Sequence, residues 1–386
     1  MNRQPTAPVA SFGTLNRDID TVPDEFRLRV ACRHLVGTVG DSLEERVSYD
    51  VGALSRTAGT DDPGAVGVLS DGVADIAAVG GRIMAAVNQV LLGKPEVVRL
   101  AVVAMLAEGH LLIEDVPGVG KTRLAKALAR TVSGTVNRVQ FTPDLMPSDV
   151  TGVAVYDRQN GTFEFRPGPV FANILVADEI NRASPKTQSA LLEAMEEQQV
   201  TSDGVTYPLE QPFLVMATQN PVEMEGTYPL PEAQRDRFLA RTAIGYPDRR
   251  AEVAMLAEQS VDDPLDSLQP VTDAATVRRL IGATARIHIA SELQHYIVEL
   301  VAASRQLPDV RLGASPRAAL HLARAAKASA ALDSRGFVIP DDVARMAIPV
   351  LSHRILLTVE AHAARRSEAE IVSGLLRTVR VPRGAG

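Results

Sequence analysis

Residues Leu111–Lys126 read LLIEDVPGVGKTRLAK, and this stretch indicates the local fold. An apolar strand, a loop with two closely spaced glycines and a run of good helix formers follow one another without a break. Gly118 and Gly120 permit a tight turn whose backbone N–H groups point inward. The start of the following helix adds unpaired N–H donors and partial positive charge. The stretch therefore predicts a loop that cradles phosphate groups.

The loop departs at one position from the usual pattern G-x-x-x-x-G-K-[ST]. Gly120, Lys121 and Thr122 match it, whereas Asp115 stands where the leading glycine is expected. In such loops the lysine meets the β- and γ-phosphates and the hydroxyl holds Mg²⁺. Because Asp115 marks the start of the loop, its side chain can point away from the phosphates, so we expect Asp115→Gly to leave the affinity for the nucleotide nearly unchanged. The alternative reading is a strand–turn–helix corner with a solvated lysine.

Other short apolar runs alternate with helical segments along the same part of the chain. They read RVQF (138–141), ILVA (174–177) and FLVMA (213–217). Strands this short and apolar, separated by helices, are typical of a parallel sheet buried on both faces. We expect an α/β core over residues 81–247, with helices on both faces of the sheet. A smaller all-α domain is expected over residues 248–386, which are helical in pattern and rich in alanine.

Residues 1–80 carry the weakest signals. Val51–Gly81 mixes glycine, aspartate and threonine with scattered apolar residues, and it is interpreted as a linker with at most short ordered pieces. A short helix is expected around Asp24–Leu35. Apolar residues at helical spacing start at Ile83. We therefore expect an N-terminal extension that is largely disordered.

Composition and charge narrow the class of protein. The chain has 386 residues and a formal net charge of −7, which argues against a dedicated nucleic-acid binder. Aromatic residues make up 4% of the chain, with no tryptophan, so base-stacking platforms are not expected. The single cysteine, Cys32, fits a reducing compartment. No apolar run reaches the roughly 20 residues that span a bilayer. We expect a soluble, cytoplasmic protein.

Two adjacent carboxylates follow the buried strand in ILVADEIN (174–181). Asp178 is placed to organise a Mg²⁺ shell, and Glu179 is placed to polarise a water for attack on the γ-phosphate. In isolation such a pair is often an exposed strand end. Its position downstream of the loop, at a strand–helix–strand distance, favours a nucleotide-hydrolysing pair.

Two further segments add candidates on the core. FLVMATQNP (213–221) ends in Asn220, which could orient the attacking water beside Glu179, although Asn-Pro also favours a simple turn. PEAQRDRF (231–238) contains Arg235 and Arg237, which would lie about 200° apart on a helix and could not both face one partner. One of them could act as an arginine finger on the γ-phosphate of a neighbouring subunit. A surface salt bridge is the alternative.

The segment GASPRA (313–318) predicts a helix start in the C-terminal domain. Ser315 is the expected N-cap and Pro316 the first helical residue. Arg317 would then lie in the first turn, where a cation opposes the helix dipole. This placement indicates an anion nearby, consistent with a phosphate contact.

Taken together, these segments resemble the MoxR family of AAA+ ATPases. The resemblance is carried by GVGKT, LVADEINRASPKTQSALLEAMEE, VMATQNPVEMEGTYPLPEAQRDRF and GASPRA, in this order, and spans roughly residues 83–382. TPDLMPSDVTG and FEFRPGPVF match as well. It implies an AAA+ P-loop sheet with a helical lid, Mg²⁺-dependent hydrolysis of ATP and a homo-oligomer, expected to be a hexamer. A hairpin over Gly152–Phe171 and a second one over Val200–Tyr207 are implied, each with an Asn-Gly or Asp-Gly turn.

The resemblance also implies roles for individual residues. The catalytic set is Lys121, Asp178, Glu179, Asn220, Arg237 and Arg317. The nucleotide-binding set is Leu92, Gly93, Pro117, Gly118, Val119, Gly120, Lys121, Thr122 and Arg123, and the metal set is Thr122 and Asp178. Within the first set, Arg237 matches the arginine-finger position better than Arg235, and Arg317 matches the residue called sensor 2. The segment around Leu92-Gly93-Lys94 resembles the family's segment near the adenine, although family members often have Gly-Gln where this chain has Gly93-Lys94.

Family members are thought to remodel protein partners that carry von Willebrand factor A domains. The resemblance thus implies a chaperone-like ATPase with a protein client of this kind. A nucleic-acid motor is an alternative, because related hairpin-bearing AAA+ proteins include helicases. The tips of the two expected hairpins carry one basic residue, Arg158, which argues against it. A third possibility is a nucleotide-gated adaptor whose slow hydrolysis serves as a timer.

Overall fold

The protein is described by a computed structural model over residues 63–116, 118–220, 228–247, 249–250, 252–253 and 263–382. The expected helix around Asp24–Leu35 and Pro117 of the nucleotide-binding set lie outside these residues. Among the described helices, none is long and apolar enough to cross a membrane.

The described segments form thirteen named helices and eleven strands. The helices are α1 (Pro63–Val90), α2 (Pro95–Leu106), α3 (Lys121–Thr131), α4 (Pro147–Thr151), α5 (Pro185–Glu197), α6 (Glu232–Arg235), α7 (Pro264–Ser267), α8 (Ala274–Ala285), α9 (Ser291–Ser304), α10 (Pro316–Leu332), α11 (Pro340–Leu351), α12 (Val359–Ala363) and α13 (Glu368–Thr378). The strands are β1 (Leu111–Glu114), β2 (Val136–Gln140), β3 (Gly152–Asp157), β4 (Thr162–Pro167), β5 (Ile174–Asp178), β6 (Gln199–Ser202), β7 (Val205–Pro208), β8 (Leu214–Gln219), β9 (Ala240–Thr242), β10 (Val310–Leu312) and β11 (Leu356–Leu357).

A five-stranded parallel sheet forms the centre of the core, in the order β2-β5-β8-β1-β9. Its middle strands are buried along almost their whole length, as the uninterrupted apolar runs predict. The register pairs Ile113 with Thr218, and Ala177 with Ala217. The carboxyl ends of β1, β8 and β5 therefore lie side by side, and the loop after β1 opens beside the polar residues that follow the other two strands.

Both expected hairpins are present, which confirms the predictions made for them. β3 pairs with β4 and β6 with β7, each antiparallel. Gly161 and Gly204 take positive φ angles of 66° and 79° at the turns, where glycine meets no steric penalty. The rings of Phe165 and Tyr207 stack with centroids 4.0 Å apart. This aromatic pair joins the two hairpins on the core.

The C-terminal domain is helical, as expected, with α8 to α11 and α13 packed around one apolar core. It also contains a short antiparallel ladder between β10 and β11. With three and two residues, these strands are too short to produce a periodic signal in the sequence.

Helix α1 differs from the expectation for residues before Ile83. It begins at Pro63, so the linker interpretation is wrong for the part of Val51–Gly81 that the structure describes. Val73, Ile76 and Val79 are buried at helical spacing. A Cβ on Gly80 would lie 2.3 Å from the Leu332 side chain of α10, so this glycine permits close helix packing. Gly80 is one of the glycines that suggested a loop, and the packing of α1 against α10 requires it.

Candidate functional site

The loop after β1 forms a cradle of backbone groups. Gly118 and Gly120 have φ angles of 84° and 95°, in the left-handed region that favours glycine. Gly120 is the N-cap of α3, whose first N–H groups have no partners within the helix. A Cβ on Gly120 would lie 3.1 Å from the Leu91 side chain. The loop therefore presents the N–H donors at the start of α3 and the positive end of that helix, which suits an anionic group.

Asp115 points away from this cradle. Its Oδ1 accepts a hydrogen bond from the Val116 N–H at 2.8 Å, and its Oδ2 accepts one from the Gly245 N–H at 2.6 Å. The residue is 7% exposed. The carboxylate thus ties the start of the loop to the segment after β9. Its orientation agrees with the expectation, while its effect on nucleotide affinity stays a prediction.

Lys121 lies in the first turn of α3 and its Nζ donates to the Asp115 carbonyl oxygen at 2.8 Å. Burial lowers the pKa of Lys121, and the carboxylates of Asp115, Asp178 and Glu179 oppose this shift. The Lys121 ammonium on α3 is therefore stabilised by three nearby carboxylates.

The acidic pair at the end of β5 is fixed by the neighbouring strand β8. The Thr218 hydroxyl donates to Asp178 Oδ1 at 3.1 Å and accepts the Glu179 N–H at 2.9 Å. Glu179 has a φ of 56°, an unusual conformation for a non-glycine residue and one that clusters at functional sites. One hydroxyl thus sets the positions of both acidic residues, and the predicted site set did not include it.

Two side chains of β2 hold the acidic groups. Arg138 Nε donates to Asp178 Oδ2 at 2.6 Å, and Gln140 Nε2 donates to Glu179 Oε2 at 2.9 Å. Arg182 donates to the same Glu179 oxygen at 2.9 Å. Arg138 and Gln140 were also missed by the sequence reasoning. The signal that could have found them is their i, i+2 spacing, which places both polar groups on one face of the strand.

These groups line a cavity of about 370 Å³, which we call the loop cavity. Its lining residues are Gly118, Gly120, Lys121, Thr122, Arg123, Arg138, Gln140, Asp178, Glu179, Thr218 and Asn220. The structure thus brings together the predicted residues of the loop, the acidic pair and Asn220. The lining combines backbone donors, a lysine, a hydroxyl and two carboxylates, which is the set that binding and hydrolysis of a nucleoside triphosphate requires.

The remaining residues of the nucleotide-binding set lie beside the loop. Leu92 and Gly93 follow α1 and are not among the residues that line the loop cavity. Lys94 Nζ donates to the Tyr246 carbonyl oxygen at 2.7 Å, joining this segment to the one after β9. Val119 is half-buried against the core. Arg123 Nε donates to the carbonyl at the end of α1 at 3.2 Å.

Arg237 and Arg317 lie elsewhere in the chain. Arg237 Nε contacts Glu196 Oε2 at 2.8 Å, and Arg317 contacts Glu196 Oε1 at 2.5 Å. The anion expected near Arg317 is, within the described chain, the Glu196 carboxylate. The three side chains line a second cavity of about 240 Å³, which we call the arginine cavity. It is also lined by His110, Leu320, His321 and Arg324.

The helical argument about Arg235 and Arg237 does not apply, because α6 ends at Arg235. Arg237 lies in the turn that follows the helix. Arg235 lines a third cavity of about 720 Å³, together with Arg354. The Arg235 Nε is buried and has no hydrogen-bond acceptor in the part of the chain that the structure describes. The two arginines therefore face different cavities.

Comparison with known proteins agrees with this geometry. A sequence model described as "ATPase family associated with various cellular activities (AAA)" matches residues 110–240, and one described as "AAA lid domain" matches residues 302–375. The chain is similar to a candidate ATPase from Cytophaga hutchinsonii whose crystal structure is solved. The two are 38% identical in sequence, with a TM-score of 0.77. The match covers 83% of this chain and 99% of that one.

Curated relatives extend over most of the chain. The uncharacterised protein YeaC of Bacillus subtilis is 49% identical over 302 residues, which are 78% of this chain and 94% of the relative. Chaperone MoxR1 of Mycobacterium tuberculosis is 42% identical over 305 residues, or 77% of this chain and 80% of the relative. Protein MoxR of Paracoccus denitrificans is 33% identical, over 77% and 95% of the two chains. The chain belongs to the MoxR family of AAA+ ATPases.

Proposed function

We propose that this chain binds ATP with Mg²⁺, hydrolyses it, and as a homo-oligomer uses hydrolysis to remodel a protein partner. The observation that carries the proposal is the loop cavity, where the N-terminal end of α3 faces the acidic pair of β5 and the polar end of β8. The membership in an ATPase family agrees with it. A hexamer is the expected assembly, by resemblance to the family.

The residues of the loop cavity suit a magnesium ion. Thr122 offers a hydroxyl and Asp178 a carboxylate, and Mg²⁺ prefers oxygen ligands. The Asp178 carboxylate is nearly buried, and its Oδ2 is paired with Arg138, so the metal would share this carboxylate with the guanidinium. Magnesium, when bound, neutralises charge on the β- and γ-phosphate oxygens. Thr122 and Asp178 would hold it.

The protein's own groups supply the remaining chemistry. Lys121 and the free N–H groups of the loop bind the phosphates and orient the γ-phosphate. Glu179 accepts a proton from the attacking water, and Asn220 orients that water. In the described state Gln140 and Arg182 engage the Glu179 carboxylate. Both contacts fall on Oε2, so the attacking water would be engaged by Oε1.

We further propose that Arg237 and Arg317 act on the nucleotide of a neighbouring subunit. Both line the arginine cavity, and neither is among the residues that line the loop cavity of their own chain. The described Lys121, Arg123 and Arg138 are the cations that the loop cavity itself provides. An arginine supplied from a neighbour would stabilise the charge of the transition state. This arrangement makes hydrolysis depend on assembly.

The two hairpins support a protein partner over a nucleic acid. The β3–β4 hairpin exposes Tyr156 and Phe163, whose rings pair at 5.2 Å, and the β6–β7 hairpin exposes Val205. Such apolar groups suit contact with a polypeptide more than with a phosphate backbone. One relative carries the name chaperone. We propose a client with a von Willebrand factor A domain, by resemblance to the family, and a cytoplasmic location, which the single cysteine motivates.

The test is the variant Glu179→Gln. We expect hydrolysis to fall at least about 100-fold, because the general base is lost, while ATP affinity changes little. Rates are measured by phosphate release and affinity by titration with a fluorescent nucleotide. Glu164→Gln, on the exposed β4 strand, is the matched control and should behave as the unmodified protein.

A Glu179→Gln variant that hydrolyses ATP at the original rate would refute the mechanism. The same variant traps clients, so affinity capture with ATP identifies the partner. A rate that DNA stimulates and that falls steeply with salt would instead favour the nucleic-acid motor. Single-turnover hydrolysis with and without the captured partner separates a remodelling ATPase from a nucleotide-gated adaptor.

A further inference from the structure

We propose that Glu196 is a positioning residue, which holds Arg237 of the core and Arg317 of the lid as a pair directed at the nucleotide of a neighbouring copy of this chain. The inference rests on the proposed action of these arginines between subunits. The inference assigns a role to a third residue, Glu196, which lies on helix α5. No residue of this helix belongs to the predicted site set.

The contacts are direct and use both carboxylate oxygens. Glu196 Oε2 binds the Arg237 Nε at 2.8 Å, and Glu196 Oε1 binds an Arg317 terminal nitrogen at 2.5 Å. The side chains of Arg237, Arg317 and Glu196 are 30%, 37% and 40% exposed. Each arginine keeps donors that Glu196 does not use, because a guanidinium carries five N–H groups. The pair is therefore accessible to a second molecule while Glu196 holds it.

The charges explain why a carboxylate is needed at this position. Arg237 and Arg317 carry like charges, and Arg324 adds a third positive charge to the same cavity. Arg317 also lies in the first turn of α10, where the helix dipole disfavours a cation. Without Glu196 these arginines would repel each other and separate into solvent. A single bridging carboxylate removes that repulsion and fixes the distance between the arginines.

The backbones beside the two arginines are already joined through Asp236. Its carboxylate accepts hydrogen bonds from the Ser315 hydroxyl at 2.8 and 3.0 Å, and from Arg354 Nε at 2.7 Å. Asp236 precedes Arg237, and Ser315 is the N-cap two residues before Arg317. The fold thus sets where both arginines start, and Glu196 sets where their charged ends meet.

Glu196 also connects this pair to other parts of the site. It lies in the last turn of α5, a helix that starts shortly after Glu179 and leads directly into the β6–β7 hairpin. The C-cap residue Gln198 has a φ of 54°, so the chain turns sharply between the helix and the hairpin. A movement of the arginine pair on a neighbour's phosphate would therefore act on the end of α5 and on the hairpin.

The experiment uses Glu196→Ala in the full chain, with Glu197→Ala as the matched control. Glu197 is the adjacent carboxylate, and its side chain contacts Gln199, not the arginine pair. We expect Glu196→Ala to lower the hydrolysis rate at least about tenfold with ATP affinity unchanged, because transition-state stabilisation alone is lost. Glu197→Ala should keep the original rate. Exposed ion pairs add little stability, so the thermal melting temperature of Glu196→Ala should be unchanged. Glu196→Gln, which removes the charge of the side chain, serves as a second variant.

Mixed assemblies give the readout that a merely structural role would not move. Glu196→Ala chains are co-expressed with Glu179→Gln chains, under different tags, and assemblies holding both are purified. A Glu196→Ala chain keeps its Glu179 and can receive an intact arginine pair from its Glu179→Gln neighbour. In an equal mixture about a quarter of the sites are then fully equipped, so activity should rise to about a quarter of the original rate. Mixing Glu196→Ala with Arg237→Ala should restore nothing, since both defects lie in the donated pair.

The outcomes separate the inference from the proposed function. If Arg237→Ala and Glu179→Gln restore each other but Glu196→Ala and Glu179→Gln do not, Glu196 does not act through the donated pair and the inference is wrong. If Arg237→Ala and Glu179→Gln also fail to restore each other, the action between subunits is wrong. An unchanged rate in both Glu196 variants would also overturn the inference.

Discussion

The loop cavity and the arginine cavity differ in how the fold builds them. The loop cavity takes all its lining residues from the core, at the carboxyl ends of adjacent parallel strands and the start of α3. The arginine cavity combines the end of α5, the turn before β9 and the lid helix α10. The first is a product of one sheet. The arginine cavity exists only when the lid is docked on the core. Its geometry therefore depends on the position of the lid, whereas that of the loop cavity does not.

The lid contact that supports the arginine cavity is a buried ion pair. Arg354 is almost fully buried and binds Asp236, the residue beside Arg237. Burial lowers the pKa of Arg354 to about 10, and the Asp236 carboxylate opposes this shift. The guanidinium also donates to the Leu239 carbonyl oxygen at 3.1 Å. The core–lid junction thus rests on a buried arginine, whereas Arg138, which pairs with Asp178 in the loop cavity, is more than half exposed.

The largest effect should come from Arg237→Ala, which separates the two cavities by function. We expect ATP binding to be kept, because Arg237 does not line the loop cavity, and hydrolysis to fall about 1,000-fold or more, as for lost arginine fingers. Nucleotide titration and phosphate release measure the two quantities. Arg235→Ala is the control and should keep its rate. The reverse pattern would assign the finger to Arg235, and loss of ATP binding by Arg237→Ala would contradict a role between subunits.

Acid should weaken the arginine cavity and its surroundings. Burial lowers the pKa of His110 to about 4 and that of His321 to about 3, in the latter case with further lowering by Arg354. These histidines stay neutral in the folded chain, whereas the unfolded chain takes up protons below about pH 6.5. Stability is therefore full above pH 6.5 and falls as the pH drops towards 4, by about 1.4 kcal/mol per pH unit for each such histidine.

Urea unfolding at pH 7, 6 and 5 measures this loss. His321→Gln should lower the slope of the unfolding free energy against pH by the contribution of one histidine. The described lining of the loop cavity contains no histidine, so the nucleotide affinity at the same pH values gives a comparison. A free energy of unfolding that stays constant from pH 7 to 5 would contradict the assignment of neutral buried histidines.

A smaller effect is expected from Gln140→Ala in the loop cavity. The substitution removes the amide that binds Glu179 and leaves that carboxylate freer to engage water. We expect hydrolysis in the absence of a partner to rise up to about tenfold, the scale of one hydrogen bond to a charged group. Phosphate release without client measures it. Gln199→Ala, a glutamine outside the cavity, is the control, and a rate that falls would mean that Gln140 assists hydrolysis.

The smallest effect on affinity should come from Asp115→Gly. The carboxylate faces Val116 and Gly245, so its loss should change ATP affinity by less than about threefold, although the Gly245 N–H loses its acceptor at a cost of about 1–2 kcal/mol of stability. Calorimetric titration and thermal melting measure the two effects. A tenfold gain in affinity would show that the carboxylate faces the nucleotide.

Parts of the fold and the loop cavity follow from local patterns. LLIEDVPGVGKT and ILVADE are each continuous in the chain, and the rule that parallel strands end at one edge of a sheet brings them together without further knowledge. The hairpins carry their turn signals at Asn160-Gly161 and Asp203-Gly204. Residues such as Gln140 and Thr218 were harder to assign, because a polar residue at a strand end is common and its partner lies on another strand.

What the chain encodes locally is the sheet, the phosphate loop and the acidic pair, since each depends on hydrophobic period and short-range turn chemistry. The sequence did not predict that α1 begins at Pro63. A glycine such as Gly80 favours a loop by intrinsic propensity, and its place in this helix is explained by the close packing of Leu332 against it. The meeting of Arg237, Arg317 and Glu196 was not visible either. Their charges lie far apart along the chain, and long-range docking of the lid on the core, which no local period records, brings them to one carboxylate.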